Sequence, residues 1–589
     1  MSEFTSGSEI GEKITPRDLV WIAVLVLPSL YILLTLPPLW RDTDGFNEIA
    51  STFAPKGIIH WLPGYCFFGR LVVIFGGIVG NLVTGHGLPY LSIGTPELSE
   101  VGIYSLLVVQ HLFLIYSLFF VVKTMSHRFF LRFLFSVFFA LTPWLYLFAQ
   151  CIGTEAFSNP LVCLIAGYGW ICLRSVKLRL HRLGLLFLLL LAAALTRHIN
   201  LIMVCLVPLA LLMPAIILTF LPEKTFFPAK ATSEFDGWRK LFVYGCLGVG
   251  VAAGSIGAQQ AMCWMFKVPY RSTFGVTFEW RLDYLDTMPP AERNSILSKV
   301  SAKANDPVVT EAIQDLVQAM DRKEERHYGY LYERIDDILS RSGRKNLQQH
   351  LFEIDSKLNR VAGAFLTPPD PALLSKVQSE MLRVQFLSQT DMAVQPLALT
   401  DSLQRELAAP RYARLRPLRS FQFPAGHYKS LFDSNAYFQI FKGFPVGGFV
   451  FLTLVGGALV LVSSIRNFAN LIGVWYAWSM VATGFLMALG NCFSTSFGAR
   501  YFLPLYSFVQ IALMLLIAML VQTFAERRRA RSGTSAPINS TSDSAASAGH
   551  QQLDSVGDNV TADPSLDYRH QAGCQAPRHQ AQRIFPSEL

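Results

Sequence analysis

Four short stretches of this chain hold residue types that do chemistry. Asp42 and Asp44 stand in WRDTDGF, directly after the first strongly apolar segment; Glu155 stands in CIGTEAFSN; Arg197 and His198 interrupt LLLLLAAALTRHINLIMV; Arg500 and Tyr501 open GARYFLPLYSF. A positioned carboxylate can take the proton of a hydroxyl nucleophile. Three carboxylates also form an oxygen-rich set compatible with a hard divalent cation, though nothing in their spacing requires one. Arginine binds phosphate oxygens bidentately, so Arg197 and Arg500 suit an anionic phosphate. Each residue also has a plainer reading. Asp44 serves as the N-cap of a short helix, Glu155 as a first-turn acid favoured by the helix dipole, Arg197 as a snorkelling turn residue and Arg500–Tyr501 as an interfacial anchor.

The elements that must position these residues are membrane helices. The chain has 589 residues, of which 52% are hydrophobic and only 15% charged, far fewer charges than an ordinary soluble domain carries. Ten spans are expected: Val20 to Leu36, Ile103 to Val122, Phe133 to Phe148, Ala156 to Leu173, Leu183 to Leu195, Ile199 to Leu221, Leu241 to Phe266, Phe444 to Ile465, Leu471 to Leu489 and Tyr501 to Phe524. The run Leu71 to Val83, broken by Gly76, Gly77 and Gly80, reads as too short to cross and therefore as interfacial or re-entrant. Between Trp40 and Arg70, the residues Phe46, Ile49, Ala50 and Phe53 recur at helical spacing. They predict an interfacial helix with Asn47 and Glu48 turned to water.

Lysines and arginines fall in alternate short loops, around Lys123 to Arg132, Arg174 to Arg182, Lys224 to Lys240, Arg466, and Arg527 to Arg531. By the positive-inside rule both termini are cytoplasmic, and Asp42, Asp44, Glu155, Arg197 and Arg500 share the external side. The formal charge of +9 is spread over these loops rather than gathered in one patch, which argues against nucleic acid as a partner. The expected organisation is an N-terminal membrane module (1–266) whose first external loop is 39–101, an external α-helical domain (267–443), a C-terminal membrane module (444–526) and a disordered cytoplasmic tail (527–589). Within the insert, Ala291 to Ala304, Val308 to Arg322, Tyr328 to Arg341 and Pro371 to Leu387 read as amphipathic helices. The fold class is thus an all-α polytopic membrane protein with an inserted helical domain. None of the nine cysteines has metal-ligand spacing, and no nucleotide-binding or hydrolase motif occurs.

The first-loop pattern of Asp42, Phe46, Ala50, Pro63, Gly64 and Tyr65 resembles that of the GT-C superfamily of polytopic glycosyltransferases. Arg500, Tyr501, Leu503 and Pro504 resemble a motif near the last core helix of its bacterial members. Many relatives place Glu directly after the loop aspartate, whereas this chain has Thr43 and then Asp44, so either aspartate fits the base. The resemblance implies transfer of a sugar from a polyprenyl-phosphate donor to an acceptor hydroxyl of a lipid, glycan or protein, with inversion. It implies Asp42 or Asp44 as base, Glu155 in support of the acceptor, base or a metal, and Arg197, His198, Arg500 and Tyr501 at the donor phosphate. It also implies a bacterial plasma membrane, with membrane lipids around the chain and the site on the external face. The competing readings are a transporter or lipid flippase, and a glycan ligase or polymerase with a diphosphate-linked donor.

Overall fold

The computed structural model describes residues 15–49, 62–85, 96–174, 180–212, 237–266, 274–322, 329–341, 343, 346–424, 426–440, 443–464, 468–495 and 498–531. Helix α1 (Asp18–Thr35) leads into a two-residue strand β1 (Leu39–Trp40) and a short helix α2 (Asp42–Ile49). Then come α3 (Pro63–Thr84), α4 (Glu100–Met125), α5 (Phe129–Ala140), α6 (Pro143–Ala149), a second two-residue strand β2 (Cys151–Ile152), α7 (Glu155–Arg174) and α8 (Leu180–Thr196). A 3-10 turn (His198–Cys205), a π turn (Val207–Leu212) and α9 (Gly237–Phe266) complete the first bundle. The protein is an all-α polytopic membrane protein. Eight of its described helices are long and apolar enough to cross a bilayer, or nine if the bent pair α5 and α6 counts as one.

Three expected spans differ from what forms. Phe133 to Phe148 is broken into α5 and α6, which meet at 65°. Pro143 starts the second piece and biases Thr142 away from helical geometry, so the chain turns there. Leu183 to Leu195 lies within the 17-residue α8, about three residues short of the length a perpendicular span needs. Ile199 to Leu221 is not one α-helix. It starts as 3-10 and π turns around Pro208, and its residues 213–221 lie outside the described part.

The run Leu71 to Val83 is also not a broken segment. It belongs to one continuous 22-residue helix, α3. Its glycines are contact points rather than breaks. A side chain at Gly76 would strike the Cα of Gly102, and one at Gly80 would strike Val101, so the missing Cβ atoms let α3 close on α4. The helix begins beside the middle of α4 and ends beside its start, with Tyr65 bonded to Gln110 and Gly80 against Val101.

The insert is helical throughout its described length. It contains α10 (Phe274–Glu279), a 3-10 segment (Trp280–Thr287), α11 (Pro290–Ala304), α12 (Pro307–Asp321), α13 (Tyr330–Arg341), α14 (Leu347–Leu366), α15 (Pro371–Phe386), α16 (Gln389–Glu406) and α17 (His427–Ser434). Side-chain caps start several of these. Asp306 accepts from Val308 N and Val309 N, Asp370 from Leu373 N, and Ser388 forms a reciprocal box with Asp391. The chain then returns through α18 (Val446–Ser464), α19 (Phe468–Ser494), a 3-10 turn (Ala499–Phe502) and α20 (Leu503–Arg531). Among the bonds that tie insert to bundle, two lie near its ends. Val446 N donates to Leu387 O at 2.9 Å, and the buried Arg281 donates to Thr495 O at 3.0 Å while pairing with Glu380 at 2.8 Å. Helix α16 packs over β1, α2, α6 and the Ala499–Phe502 turn, and so roofs the end of the bundle where the charged residues collect.

Candidate active site

Two loops far apart in sequence are joined by the parallel pairing of β1 and β2, Leu39 opposite Cys151 and Trp40 opposite Ile152. Parallel strands finish at the same end, so the residues after each strand emerge side by side. Arg41 follows β1; Gly153, Thr154 and Glu155 follow β2. Gly153 makes the approach possible, because a Cβ there would come within 2.7 Å of the Arg41 Cβ. The roof helix closes this junction, with the Thr400 hydroxyl accepting from Trp40 N at 2.8 Å.

Arg41 is the centre of the charge network. Its guanidinium donates to Thr154 Oγ1 at 2.7 Å, to Glu155 Oε2 at 3.2 Å and to Glu48. Arg197, at the end of α8, reaches the other oxygen of Glu155 at 3.4 Å. Arg500 joins through Tyr501: its Nη2 donates to the Tyr501 hydroxyl at 3.2 Å, and the Tyr501 ring has Arg500 at 5.1 Å and Arg197 at 5.8 Å from its centroid. One carboxylate, with a side chain 2% exposed, is therefore paired with two guanidiniums, and a third stands at the Tyr501 ring that Arg197 also faces. A buried anion so engaged stays ionised and serves as an anchor for cations, since its lone pairs are committed and the charge is offset.

The helix that carries the acids is fixed at its C-terminal end. The fully buried Arg70 donates from Nε to Glu48 O at 2.8 Å and from Nη2 to Asn47 O at 3.1 Å, placing a cation on the carbonyl end of α2 where the helix dipole favours it. The connection into α7 is fixed in a similar way. The carboxamide of Gln150 turns its NH2 to Leu36 O (2.8 Å) and Pro37 O (3.2 Å), so its Oε1 is an acceptor. His111 Nε2 must then be the protonated nitrogen, 3.0 Å away, and Nδ1 accepts from the Ser29 hydroxyl at 3.0 Å.

The sequence-derived residues divide accordingly. Glu155, Arg197, Arg500 and Tyr501 come together. His198, next to Arg197, is exposed while its neighbour turns inward. Asp42 and Asp44 occupy the first turn of α2; their side chains, like Ala50 and Phe53, lie outside the described part. The helix already begins at Asp42, two residues too early for Asp44 to be its cap. Glu48 is not turned to water: it is 1% exposed, because Arg41 supplies the counter-charge that burial of a carboxylate demands. Arg41 itself was missed, because the carboxylate that defines its role, Glu155, lies 114 residues away in sequence. Glu155 does not suit the carboxylate set that could have held a divalent cation, since both its oxygens face guanidiniums. Among the described residues no three His, Cys, Asp or Glu side chains gather closely enough to hold a metal ion.

No protein-family model matches the chain, and no curated protein does. Among solved structures, it is similar to the archaeal oligosaccharyltransferase AglB of Archaeoglobus fulgidus in complex with an inhibitory peptide and a dolichol-phosphate, at 10% identity and a TM-score of 0.37, covering 88% of this chain and 52% of that one. It is also similar to an oligosaccharyltransferase of the same organism in the apo form, at 10% identity and a TM-score of 0.40, covering 89% and 52%. The chain spans about half the length of these proteins. Likeness at such scores carries no argument about activity, and the functional reading rests on the site.

Proposed function

We propose that this protein is a membrane glycosyltransferase of GT-C type that moves a sugar from a polyprenyl-phosphate donor to an acceptor hydroxyl at the external face of a bacterial plasma membrane. The observation that carries the reading is the pairing of Arg41 and Arg197 with the single buried carboxylate Glu155, with Arg500 beside Arg197 at the Tyr501 ring, at the ends of membrane helices and under a helical roof. A lipid phosphate enters from the bilayer and presents its head at that level, where guanidiniums held in fixed orientation bind its oxygens.

In the reaction, Asp42 takes the proton of the acceptor hydroxyl, with Asp44 as the second choice of base. The acceptor oxygen forms a bond to the anomeric carbon from the face opposite the phosphate. The bond between that carbon and the phosphate oxygen breaks with its electron pair going to the oxygen, so the configuration inverts. The departing polyprenyl phosphate gains negative charge, and Arg197, Arg500 and Arg41 stabilise it. Glu155 holds these cations apart and aimed in the absence of donor. Glu155, paired with arginines through both oxygens, is not placed as a metal ligand in this reading. Helix α16 and the remainder of the insert cover the acceptor side.

The test is incubation of the purified protein with labelled polyprenyl-phosphate and polyprenyl-diphosphate sugars and a panel of hydroxyl acceptors. Release of polyprenyl phosphate with transfer of label supports the reading. Cleavage of diphosphate donors alone transfers it to the ligase or polymerase class, and donor movement across vesicles without cleavage would make the protein a transporter.

A further inference from the structure

Strand β2 has a second edge. Its first edge bonds the first loop: Leu39 N donates to Gln150 O at 3.1 Å and Arg41 N donates to Ile152 O at 3.0 Å. Backbone groups of an extended segment alternate in direction, so the carbonyl of Cys151 and the amide of Gly153 point the other way, beside the carbonyl of Ala149 that ends α6. Inside a membrane bundle those groups need partners, since each unpaired one is costly away from water. The partners are side chains. Gln110 Nε2 donates to Ala149 O at 2.7 Å and to Cys151 O at 3.2 Å. Gly153 N donates to the Tyr65 hydroxyl at 2.9 Å, and that hydroxyl donates in turn to Gln110 Oε1 at 2.9 Å.

The set is closed. Both amide hydrogens of Gln110, its oxygen, and the donor and acceptor of the Tyr65 hydroxyl are all used. Both residues are almost wholly buried, so no water competes for these groups. Together the two side chains do for one edge of β2 what β1 does for the other, and they explain a fully buried Gln in the middle of the 26-residue apolar α4.

We propose that Tyr65 and Gln110 are positioning residues that set Glu155 against Arg41. They touch neither charged group. They fix the path of residues 149–153, and with it the place where Thr154 and Glu155 leave the strand next to Arg41. The inference rests on the transferase reading for its catalytic consequence but not for its geometric one.

Both parts are testable on the full-length protein in lipid nanodiscs. Hydrogen exchange followed by mass spectrometry reads the geometry without any substrate. In Tyr65→Phe, peptides covering 149–155 should lose protection while those of α20 keep theirs; unchanged protection at 149–155 overturns the proposal whatever the activity. Turnover of a polyprenyl-phosphate sugar reads the consequence. Tyr65→Phe should lose roughly tenfold or more, as expected when one buried hydrogen bond is removed and its partner stranded. The double variant with Glu155→Gln should be no slower than Glu155→Gln alone, because both changes act through one unit. Independent, multiplying losses would overturn it.

Should Tyr65→Phe not fold, Gln110→Glu decides. A carboxyl there can face the Ala149 and Cys151 carbonyls only when protonated, so the variant's turnover relative to the parent should rise as pH falls. A flat ratio counts against positioning. A parent protein that turns over no polyprenyl-linked donor removes the transferase reading, while the exchange experiment still settles the role of the pair.

Discussion

Replacing Glu155 by Gln keeps the shape of the side chain and removes the one charge that Arg41 and Arg197 share. In the parent, Glu155 Oε2 is 3.2 Å from Arg41 and Oε1 is 3.4 Å from Arg197, with side-chain exposures of 2%, 6% and 11% for the three residues. Breaking a buried ion pair by removing one partner costs about 3–5 kcal/mol, mostly because the other charge is left without compensation. Gln retains an oxygen that can accept from one guanidinium, and Arg41 retains Glu48, so the lower end, about 3 kcal/mol, is expected. The assay is thermal melting in detergent micelles with and without decaprenyl phosphate. A ligand that binds only the folded protein stabilises it by about 2.7 kcal/mol at a hundred times its Kd. The arginines stranded by Glu155→Gln should welcome a phosphate, so decaprenyl phosphate should raise the melting temperature of the variant more than that of the parent, while turnover falls. A variant that melts with the parent, or that gains no more from decaprenyl phosphate than the parent does, refutes the view of Glu155 as the anchor of a phosphate site.

Further outcomes can be measured alongside. Asp42→Asn should lower turnover by roughly 10²–10⁴, the usual contribution of a general base, with donor affinity nearly intact; a larger loss in Asp44→Asn reverses the assignment. Arg197→Ala or Arg500→Ala should weaken donor binding as well as turnover, read by titration with decaprenyl phosphate, and normal affinity in both variants removes them from the phosphate site. Thr400→Val removes the acceptor for Trp40 N and should cost about 1–3 kcal/mol, seen as easier proteolysis between the insert and the first loop; an unchanged cleavage pattern would show that the roof is held elsewhere. Burial raises the Asp306 pKa, but the hydrogen bond from Lys357, the amide of Val309 and the charges of Lys357 and Arg360 outweigh it and leave the group below its ordinary value. Its stabilising effect is accordingly complete at neutral pH, above the unfolded carboxylate range, and is lost as pH falls through the depressed folded value. Asp306→Asn should melt earlier than the parent at pH 7, with the gap closing in acid; a gap independent of pH excludes the ion pairs as its source.

Much of the fold is legible in local composition. Long apolar runs gave most of the spans, and Pro and Asp punctuation gave α11, α12, α13 and α15, because caps and apolar stripes are short-range signals. Helices α10, α14, α16 and α17 escaped. The roof helix α16 is polar for much of its length and carries Pro396 in its interior, so its helicity comes from a capping box and from packing on β1, which no window of sequence contains. The glycines of α3 misled for a related reason. Whether Gly76 breaks a helix or admits a neighbour depends on Gly102 and Ser105, which come 26 residues later or more. In the site, Glu155, Arg197, Arg500 and Tyr501 could be found from charge in apolar surroundings. Arg41, Glu48, Tyr65 and Gln110 could not, since their roles are defined by each other: an Arg beside a Trp looks interfacial until Glu155 is placed next to it.

The separations along the chain carry a consequence for biogenesis. Arg41 meets Thr154 across 113 residues, Trp40 meets Thr400 across 360, and Arg197 shares the Tyr501 ring. Membrane helices are delivered to the bilayer in order of synthesis, yet the residues around Glu155 are drawn from the beginning, the middle and nearly the end of that order. A nascent chain that has inserted α1 through α9 holds Arg41, Glu155 and Arg197 without their roof or Arg500. The charge network around Glu155 is therefore incomplete until the last helix is in place, and a chain released early, or cut before Arg500, would be inserted with the site unfinished. On the proposed transferase function, completion of synthesis is itself the switch that turns activity on.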